Sequence, residues 1–548
     1  MGSINGADAG RVVIVTGGGN GIGAATCWEL ARRGANVVVV DPGVGVRGEA
    51  RDPDAAATLA AQITSSGGTA RASTASVTDR QGIATLFAET AEEFGRLDAV
   101  VNPAGILRFE QLRASTLDDW CAVLDVHVNG YLNVLEAALP IMGAAGHGRV
   151  VGFTSGAGLA RTSVDGPAYG CSKRTVAALT WQLAPLLPTG VQVNALSPIA
   201  ATRMVREGLI AIGVPGASGL DLTAMPQAHD MAPAAALLSN APQWCNGRVI
   251  YSAGSEMCVM SPPRVIEIVR TRDVADMASA LGTISPVVLA PAEAAQRTAG
   301  GSNPRFGNVF TRPPDAAASA PGDDAPVCVI VCDDRSMVGV LAEAMRGWGL
   351  APISIEPPSV GEVFSDGAAL VARVAGAREV DAVIVALTGA GDGGDADSWR
   401  SMLETHRAVP DHIAANAAWA RAAALHAAAS GRSVRSVHVT RAVTAAGRSA
   451  AQAVAQMSRS INETSGDVPV HCFTVALETL DRDADRPVAE LVARLARADD
   501  TLALRGAELF ADANWIGIRS HPAPMATVSF GGPEIPGWID GALQRIIA

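Results

Sequence analysis

The stretch "RVVIVTGGGNGIGAATCWELARRGANVVVVD", residues 11–41, decides the fold of this chain. An unbroken apolar run leads into a glycine cluster, helical spacing follows, and a second apolar run ends at Asp41. Apolar strands without alternation are typical of a parallel sheet that is buried on both faces. The stretch therefore predicts strand, turn, helix and strand, the opening unit of a doubly wound α/β domain.

The same alternation of strands and helices continues to about residue 275. Residues 290–325 are rich in Gly, Pro, Ser and Ala, which is typical of a linker. The pattern then begins again at "PVCVIVCDD", and "WRSMLETH" (399–406) echoes "WCAVLDVH" (120–127). Chance similarity between two Ala-rich segments is the alternative to an internal repeat. We predict an α/β chain of two tandem Rossmann-type doubly wound parallel-sheet domains, 1–289 and 326–548, joined by a linker over 290–325.

Composition excludes several classes of partner. The chain has 548 residues, a net charge of −12 and no block of basic residues, which argues against nucleic acid and anionic membranes. Its eight cysteines are scattered, and Cys328 and Cys332 have no second ligand pair nearby, so we expect neither a disulfide framework nor a metal site. We see no apolar run long enough to span a bilayer and no amino-terminal signal, and therefore expect a cytoplasmic location.

The glycine cluster "TGGGNGIG" (16–23) lies between the first strand and the first helix. Glycines there allow a tight turn close to a pyrophosphate, and the helix N-terminus offers free N–H groups. Asp41, at the end of the next strand, is placed to accept hydrogen bonds from an adenosine ribose and to repel a 2′-phosphate. The pattern predicts NAD rather than NADP. The alternative is that Asp41 only caps a turn.

"YGCSK" (169–173) holds the only lysine of the chain, since Lys and Arg together number 42 and 42 − 1 = 41 are arginines. Tyr169 is one of three tyrosines, and residues four apart share one face of a helix. A cation beside the phenol lowers the tyrosine pKa, and a phenolate is a usable general base. Ser155, at the end of the preceding strand, is placed to hold a substrate oxygen. We therefore predict a catalytic site at these three residues.

Together these residues resemble the short-chain dehydrogenase/reductase family, over nearly all of residues 10–270. The resemblance implies that Ser155 orients the substrate, Tyr169 is the acid/base and Lys173 binds the ribose, with His127 at the usual relay asparagine. It implies a nicotinamide cofactor held by Thr16, Gly17, Asn20, Gly21, Ile22, Gly23, Asp41, Ser76, Val77, Asn102, Ala104, Gly105, Tyr169, Lys173, Pro198 and Thr202. Departures include Pro103 and Ile199, and the adenine-side Asp falls on Ala75 or Ser76. A histidine at position 127 is expected to titrate near neutrality.

Within the family, the chain resembles the (3R)-hydroxyacyl-CoA dehydrogenase part of the multifunctional enzymes of type 2. "NPAGILR" (102–108) and "NGRVIYSAG" (246–254) carry this likeness, as does "GAELFADANWIGIR" (506–519) in the second half. Relatives of this kind also carry two such domains in tandem. The resemblance implies a secondary alcohol or ketone as substrate.

The second half has lost this chemistry. No tyrosine follows Tyr251 and no lysine follows Lys173, and the glycine turn is replaced by Asp333 and Asp334. Two carboxylates at the place of a pyrophosphate oppose nucleotide binding. We therefore interpret the second half as a degenerate pseudo-domain that supplies an intramolecular pseudo-dimer surface. Further homodimerisation stays open.

The sequence thus predicts an NAD-dependent oxidoreductase that interconverts a secondary alcohol and a ketone. The substrate loop, residues 204–230, has few charges and favours a bulky apolar hydroxy or keto compound, which is hydroxyacyl, polyketide-like or sterol-like. The alternative is a scaffold or sensor that binds NAD and turns nothing over.

Overall fold

The computed structural model describes residues 7–160, 166–211, 222, 225–242, 244–270, 324–387, 396–464, 469–512, 515–532 and 534–547. The predicted linker lies outside them, apart from Asp324 and Ala325, and so does much of the predicted substrate loop. "First half" below means the described residues up to 270, and "second half" means those from 324 onward.

The first half begins as its sequence predicts, with strand, turn, helix and strand. Its strands are β1 (Val12–Thr16), β2 (Asn36–Val40), β3 (Thr69–Ser73), β4 (Ala99–Asn102), β5 (Gly148–Phe153), β6 (Val191–Pro198), β7 (Val249–Ser252), β8 (Glu256–Ser261) and β9 (Val265–Arg270). Its helices are α1 (Gly21–Arg32), α2 (Ala55–Ser65), α3 (Arg80–Phe94), α4 (Leu117–Leu124), α5 (Gly130–Ala145), α6 (Gly156–Leu159), α7 (Pro167–Leu183), α8 (Arg203–Ala211) and α9 (Ala228–Ser239). A π-helical turn, Asp125–Asn129, joins α4 to α5, and a 3₁₀ turn, Ala184–Leu186, ends α7.

The second half repeats this alternation. Its strands are β10 (Val327–Cys332), β11 (Ala351–Ile355), β12 (Val380–Leu387), β13 (Val434–Arg441), β14 (Val470–Leu477), β15 (Glu508–Ala511), β16 (Trp515–Arg519) and β17 (Ala523–Ser529). Its helices are α10 (Arg335–Gly347), α11 (Val360–Ala375), α12 (Trp399–His406), α13 (Val409–Ser430), α14 (Ala445–Thr464), α15 (Asp485–Arg497) and α16 (Ile539–Ile547), with 3₁₀ turns at Arg482–Ala484 and Asp499–Leu504.

The strands form two sheets. Sheet I has the order β17-β8-β7-β6-β5-β4-β1-β2-β3, and sheet II has the order β11-β10-β12-β13-β14-β15-β16-β9. The strands from β1 to β7 in sheet I are parallel, as are those from β10 to β15 in sheet II, and their buried apolar runs explain why. The predicted α/β class with Rossmann-like parallel sheets is confirmed. The domain boundaries and the degeneracy of the second half stay predictions.

The two halves exchange their last strands. β9, from the first half, pairs antiparallel with β16 in sheet II, and β17, from the second half, pairs antiparallel with β8 in sheet I. The two crossing segments are hydrogen-bonded to each other, since the Ser520 N–H donates to the Arg264 carbonyl over 2.8 Å. Helix α16 then packs into the core of the first half through Ile539 and Leu543. Each sheet is therefore completed by the other half of the chain.

Helices α7 and α14 form the centre of the contact between the halves, and one continuous apolar core includes residues of both. A buried ion cluster lies within this contact. Glu508 accepts hydrogen bonds from Arg174 of α7 over 2.5 Å and from Arg459 of α14 over 3.1 Å, and all three side chains are buried. Removing one partner of such a cluster leaves an uncompensated buried charge, at a cost of about 3–5 kcal/mol. The cluster therefore fixes how the two halves fit together.

Sheet II lacks one unit of sheet I. In the first half, α2 and β3 lie between β2 and α3, whereas in the second half the described residues between β11 and β12 form only helix α11. The strand that is missing corresponds to β3, whose end lies beside Ala75, Ser76 and Val77. The second half therefore has no counterpart to the edge of the sheet at which the sequence places the adenine.

Candidate active site

The glycine turn between β1 and α1 is tightly packed. Gly17 has a φ of +58°, and a Cβ there would lie 2.7 Å from the Ala104 Cα. A Cβ on Gly23 would lie 2.0 Å from the Gly17 carbonyl oxygen, so α1 approaches the turn more closely than any side chain allows. Helix α1 begins at Gly21, which directs its first N–H groups towards this turn. The turn thus offers a concave backbone surface with positive dipole character.

Asp41 is buried at the end of β2 and binds backbone on both sides. Its Oδ2 accepts from the Gly19 N–H over 2.9 Å, and its Oδ1 accepts from the Gly43 N–H over 2.8 Å. The carboxylate therefore caps this turn, as the alternative interpretation of the sequence held. Each oxygen still has a lone pair for a further donor, because a carboxylate offers about four acceptor positions. Its contact with a ribose stays a prediction.

A cavity of about 740 Å³ opens at the carboxyl ends of the strands of sheet I. This is the edge at which open α/β sheets bind ligands. Predicted site residues that line it are Thr16, Gly17, Asn20, Gly21, Ile22, Gly23, Asp41, Ser76, Val77, Ala104, Gly105, His127, Tyr169, Lys173, Pro198 and Thr202. The structure therefore brings residues from seven separate segments of the predicted site to one cavity.

Two predicted residues, Asn102 and Ser155, lie next to this cavity rather than in its lining. Asn102 is buried below the glycine turn, where its side-chain oxygen accepts the hydroxyl hydrogen bond of Thr16. Ser155 caps the N-terminus of α6, and its Oγ accepts from the Ala157 N–H over 3.3 Å. Its neighbour Thr154 does line the cavity. Ser155 is thus held at the edge of the site by a backbone contact of the following loop.

Lys173 is the buried cation of the site, with 4% of its surface exposed. Its Nζ donates to the Phe153 carbonyl over 2.9 Å and lies 5.5 Å from the centre of the Tyr169 ring. Burial lowers the pKa of Lys173 to about 7. The single lysine therefore lies one helical turn from Tyr169, as its spacing predicts, but it is anchored to the end of β5 rather than to the phenol.

His127 differs from its expected behaviour. It lies in the π-helical turn, its ring meets the Tyr169 ring edge-on at 5.3 Å, and its Nε2 is 2.7 Å from the Ile106 carbonyl oxygen. Burial, followed by the charge of Lys173, lowers the pKa of His127 well below 6.5. The imidazole is therefore neutral at physiological pH, whereas the sequence predicted titration near neutrality. Its burial, which no local pattern reveals, is the reason.

Three features of the site were not predicted. Met204 places its sulfur 3.9 Å from the Tyr169 hydroxyl, which brings an apolar side chain to the reactive group. The stretch after Asp41 covers one side of the cavity, because the Leu107 N–H donates to the Val46 carbonyl over 2.7 Å. The π-helical turn brings His127 to Tyr169. Each of these features depends on contacts between distant segments of the chain. The only indication in the sequence is the length of the stretch between Asp41 and Ala57.

The first-half cavity fits a nicotinamide dinucleotide. The glycine turn leaves no room for a Cβ at Gly17 and Gly23, the helix N-terminus offers N–H groups, and a carboxylate lies at the end of β2. These are the donors and acceptors that a pyrophosphate and a ribose require. The residues present therefore match the group that the sequence implies.

The corresponding turn of the second half is occupied by protein side chains. Between β10 and α10 only Asp333 and Asp334 remain. Asp334 binds Arg482, lies 3.4 Å from Arg441 and accepts from the Ser336 N–H over 3.0 Å. Burial alone would raise the pKa of Asp334, but hydrogen bonds from Arg482 and Ser336 outweigh it and lower the pKa to about 2. This turn therefore holds a fixed negative charge that its own neighbours neutralise.

Within the described ranges, no three His, Cys, Asp or Glu residues are grouped so that they hold a metal ion. Among the described helices, none is both long enough and apolar enough to cross a membrane.

Comparison with known proteins finds similarity in the first half. A family model described as short chain dehydrogenase matches residues 11–208. The short-chain reductase protein NovJ of Streptomyces niveus is 40% identical over 198 residues, which are 36% of this chain and 71% of that protein. A short-chain type dehydrogenase/reductase of Mycobacterium tuberculosis is 38% identical over 198 residues, 36% of this chain and 69% of that protein. Peroxisomal multifunctional enzyme type 2 of Drosophila melanogaster is 35% identical over 202 residues, 37% of this chain and 33% of that protein.

Burial of Lys173 predicts a pH-dependent cost to folding. Below about pH 7 the lysine is charged in both the folded and the unfolded state, so the folded state bears the full cost of burying the charge. Between the folded pKa of about 7 and the ordinary value of 10.5, only the unfolded state keeps the proton, so stability rises with pH. We expect Lys173→Met to be more stable than wild type at pH 6 and this advantage to shrink by pH 9, measured by urea unfolding.

Lys173→Arg is the matched control, because a guanidinium keeps its charge over the whole range. Its stability relative to wild type should therefore fall as the pH rises. A stability difference between wild type and Lys173→Met that is constant from pH 6 to pH 9 would contradict the assigned pKa.

Proposed function

The chain belongs to the short-chain dehydrogenase family, and on that premise we propose that it is an NAD-dependent oxidoreductase that interconverts a secondary alcohol and a ketone. The observation that carries this proposal is the pair Tyr169 and Lys173, one helical turn apart, at a cavity of about 740 Å³ beside the glycine turn. Burying a charged lysine destabilises the folded state, so its presence beside a phenol favours a catalytic role over a structural one. A purely structural tyrosine does not require it.

In this proposal, Tyr169 carries the proton. In the direction of oxidation its phenolate oxygen accepts the proton of the substrate hydroxyl, and in reduction its hydroxyl returns the proton. Bound nicotinamide supplies the acceptor or donor of the hydride. Ser155, fixed by the Ala157 N–H, holds the substrate oxygen, and Lys173 favours the phenolate when it carries its proton. His127, whose ring lies edge-on to the Tyr169 ring, is proposed to relay protons to or from the phenol.

The preference for NAD over NADP rests on Asp41. Its carboxylate lies at the edge of the cavity, where a 2′-phosphate would meet a buried negative charge. No arginine or lysine lies between Thr16 and Cys27 to compensate that phosphate. Ser76, Val77, Asn102, Ala104, Pro198 and Thr202 are assigned to the same cofactor through the family resemblance.

A bulky, largely apolar substrate agrees with the described lining near Tyr169. Ile106, Val126 and Met204 contribute apolar surface there. Arg108, which also lines the cavity, is engaged by Asp118 over 2.5 Å and by Asp119 over 3.3 Å. Hydroxyacyl, polyketide-like and sterol-like compounds are therefore the classes to test. A cytoplasmic location stays a prediction of the sequence.

The second half is proposed as a structural partner that binds no nucleotide. Its turn holds Asp334 in ion pairs with Arg482 and Arg441, and the second half lacks the unit that corresponds to α2 and β3. Its helix α14 packs against α7 of the first half. We therefore assign it the role of an intramolecular pseudo-dimer partner. Homodimerisation of the whole chain is a separate question that light scattering answers.

Substitution of the catalytic pair tests the proposed reaction. Tyr169→Phe removes the proton carrier and should lower turnover at least about a thousandfold while NAD affinity stays within about twofold of wild type. Lys173→Arg keeps a charge but not a compact ammonium and should also lower turnover strongly. Turnover is measured as NADH formation with a panel of secondary alcohols. The comparison with Tyr131→Phe, a buried tyrosine of α5, controls for loss of a phenol elsewhere.

Wild-type turnover in Lys173→Arg would overturn the role of the lysine. If wild type binds NAD but turns over none of the alcohols or ketones, the scaffold or sensor function is the better description.

Calorimetric titration tests the cofactor assignment. NAD should bind at one site per chain and more tightly than NADP. Gly23→Ala should abolish that binding, because its Cβ would lie 2.0 Å from the Gly17 carbonyl oxygen. Asp41→Ala should reduce the ratio of NAD affinity to NADP affinity by about tenfold or more, which corresponds to about 1.4 kcal/mol of binding free energy.

Gly339→Ala in α10 is the matched control, since a Cβ there meets nothing within 4 Å. Two equivalent NAD sites per chain, or NAD binding that survives Gly23→Ala, would contradict the proposal that the second half binds no nucleotide. A tenfold preference for NADP in wild type would contradict the assignment of Asp41.

A further inference from the structure

The loop that follows Ser155 receives a contact from the second half. Gln456, on α14, is buried with 1% of its surface exposed. Its Nε2 donates to the Ala157 carbonyl over 2.8 Å and to the Ala160 carbonyl over 3.1 Å. Both N–H groups of the amide are therefore used, and both acceptors belong to the loop between Ser155 and Ala160.

Helix α6 depends on such a donor. It has only four residues, Gly156–Leu159, so the carbonyls at its end lack partners within the helix. An unpaired buried carbonyl costs about 1–3 kcal/mol. Ala157 is bound on both sides, because its N–H donates to the Ser155 Oγ and its carbonyl accepts from Gln456. The contact thus reaches the serine hydroxyl through a single residue.

The orientation of the Gln456 amide is fixed by charge. Its Oε1 accepts from Arg459 over 3.4 Å, and Arg459 in turn binds Glu508, which also binds Arg174 of α7. A guanidinium requires the oxygen of the amide to face it, so the NH₂ group faces the loop. The buried ion cluster between the halves therefore sets the donor direction.

The loop is pressed between α7 and α14 without space to shift. A Cβ on Gly158 would lie 2.5 Å from the backbone nitrogen of Arg174, and a Cβ on Gly170 would lie 3.2 Å from the Ala157 carbonyl oxygen. Gly170 follows Tyr169 directly, so its missing side chain makes room for the loop beside the predicted acid/base. Gln456, the loop, Tyr169 and Lys173 are thus parts of one packed unit.

We propose that Gln456 is a positioning residue of the active site, supplied by the otherwise non-catalytic second half. It holds the α6 loop so that the Ser155 hydroxyl stays aimed at the substrate oxygen. The catalytic part of this inference rests on the proposed function, whereas the ordering of the loop does not. The second half thereby takes part in turnover without binding substrate or cofactor.

The test replaces Gln456 with methionine, which has a similar volume and no donor. We expect turnover to fall about tenfold or more while NAD affinity stays within about twofold, because the glycine turn and Asp41 follow β1 and β2 rather than the loop after β5. Amide hydrogen exchange of the peptide that spans residues 156–160 should speed up at least about tenfold. Gln182→Met is the matched control, since Gln182 of α7 bonds to Arg448 and Ser449 of α14 rather than to the loop or the ion cluster. It should leave both readouts near wild type once thermal stability is matched.

Gln456→Ala is a second variant, to be used if Gln456→Met does not fold. The space left by the shorter side chain admits a water molecule, so part of the activity should return. Unchanged turnover in a folded Gln456 variant, or equal losses in Gln182→Met, would overturn the positioning role. If wild type itself turns over no substrate, the proposed function fails. In that case amide hydrogen exchange alone tests whether Gln456 orders the loop. An unaltered exchange rate at residues 156–160 in the Gln456 variant would overturn this ordering.

Discussion

The reciprocal exchange of β9 and β17 is the constraint on which the rest of the structure depends. Each strand leaves its own half and completes the sheet of the other, and the crossing segments are joined by the hydrogen bond from Ser520 to Arg264. Without these two strands, β8 and β16 would be open edges whose unpaired N–H and C=O groups favour association with other strands. Each half therefore depends on the other for the closing strand of its sheet, and the two halves meet along α7 and α14, where the Arg174–Glu508–Arg459 cluster fixes their fit.

The contact between the halves is linked to the active site through α7, because this helix is part of both. One face of α7 carries Tyr169 and Lys173 towards the cavity, and other residues of the helix, Cys171 and Arg174, contact the second half. Burial of Lys173 lowers its pKa to about 7, so the charge of the site is set by how completely the surrounding structure excludes water. In the proposed arrangement, the second half contributes to the order of the working site through Gln456.

Local sequence patterns predict the parts of this architecture that local physics controls. Residues 11–41 predict β1, the glycine turn, α1 and β2, and the spacing of Tyr169 and Lys173 predicts their common helical face. The exchange of β9 and β17 was not predictable, because the period of a strand does not say which distant edge it joins. Gln456 was missed for the same reason, since nothing in its neighbourhood along the chain points to Ala157. The neutral state of His127 depends on burial, which only the assembled fold reveals.

Cleavage of the chain between the halves tests this mutual dependence most directly. A protease site inserted between residues 290 and 325 allows the peptide to be cut in the folded protein, and light scattering then reports the mass of the particles. We predict that the two fragments stay together at the mass of the uncut chain and retain its NAD-dependent activity. Fragments that separate on cleavage, with a first half that is monomeric, soluble and fully active alone, would contradict the account.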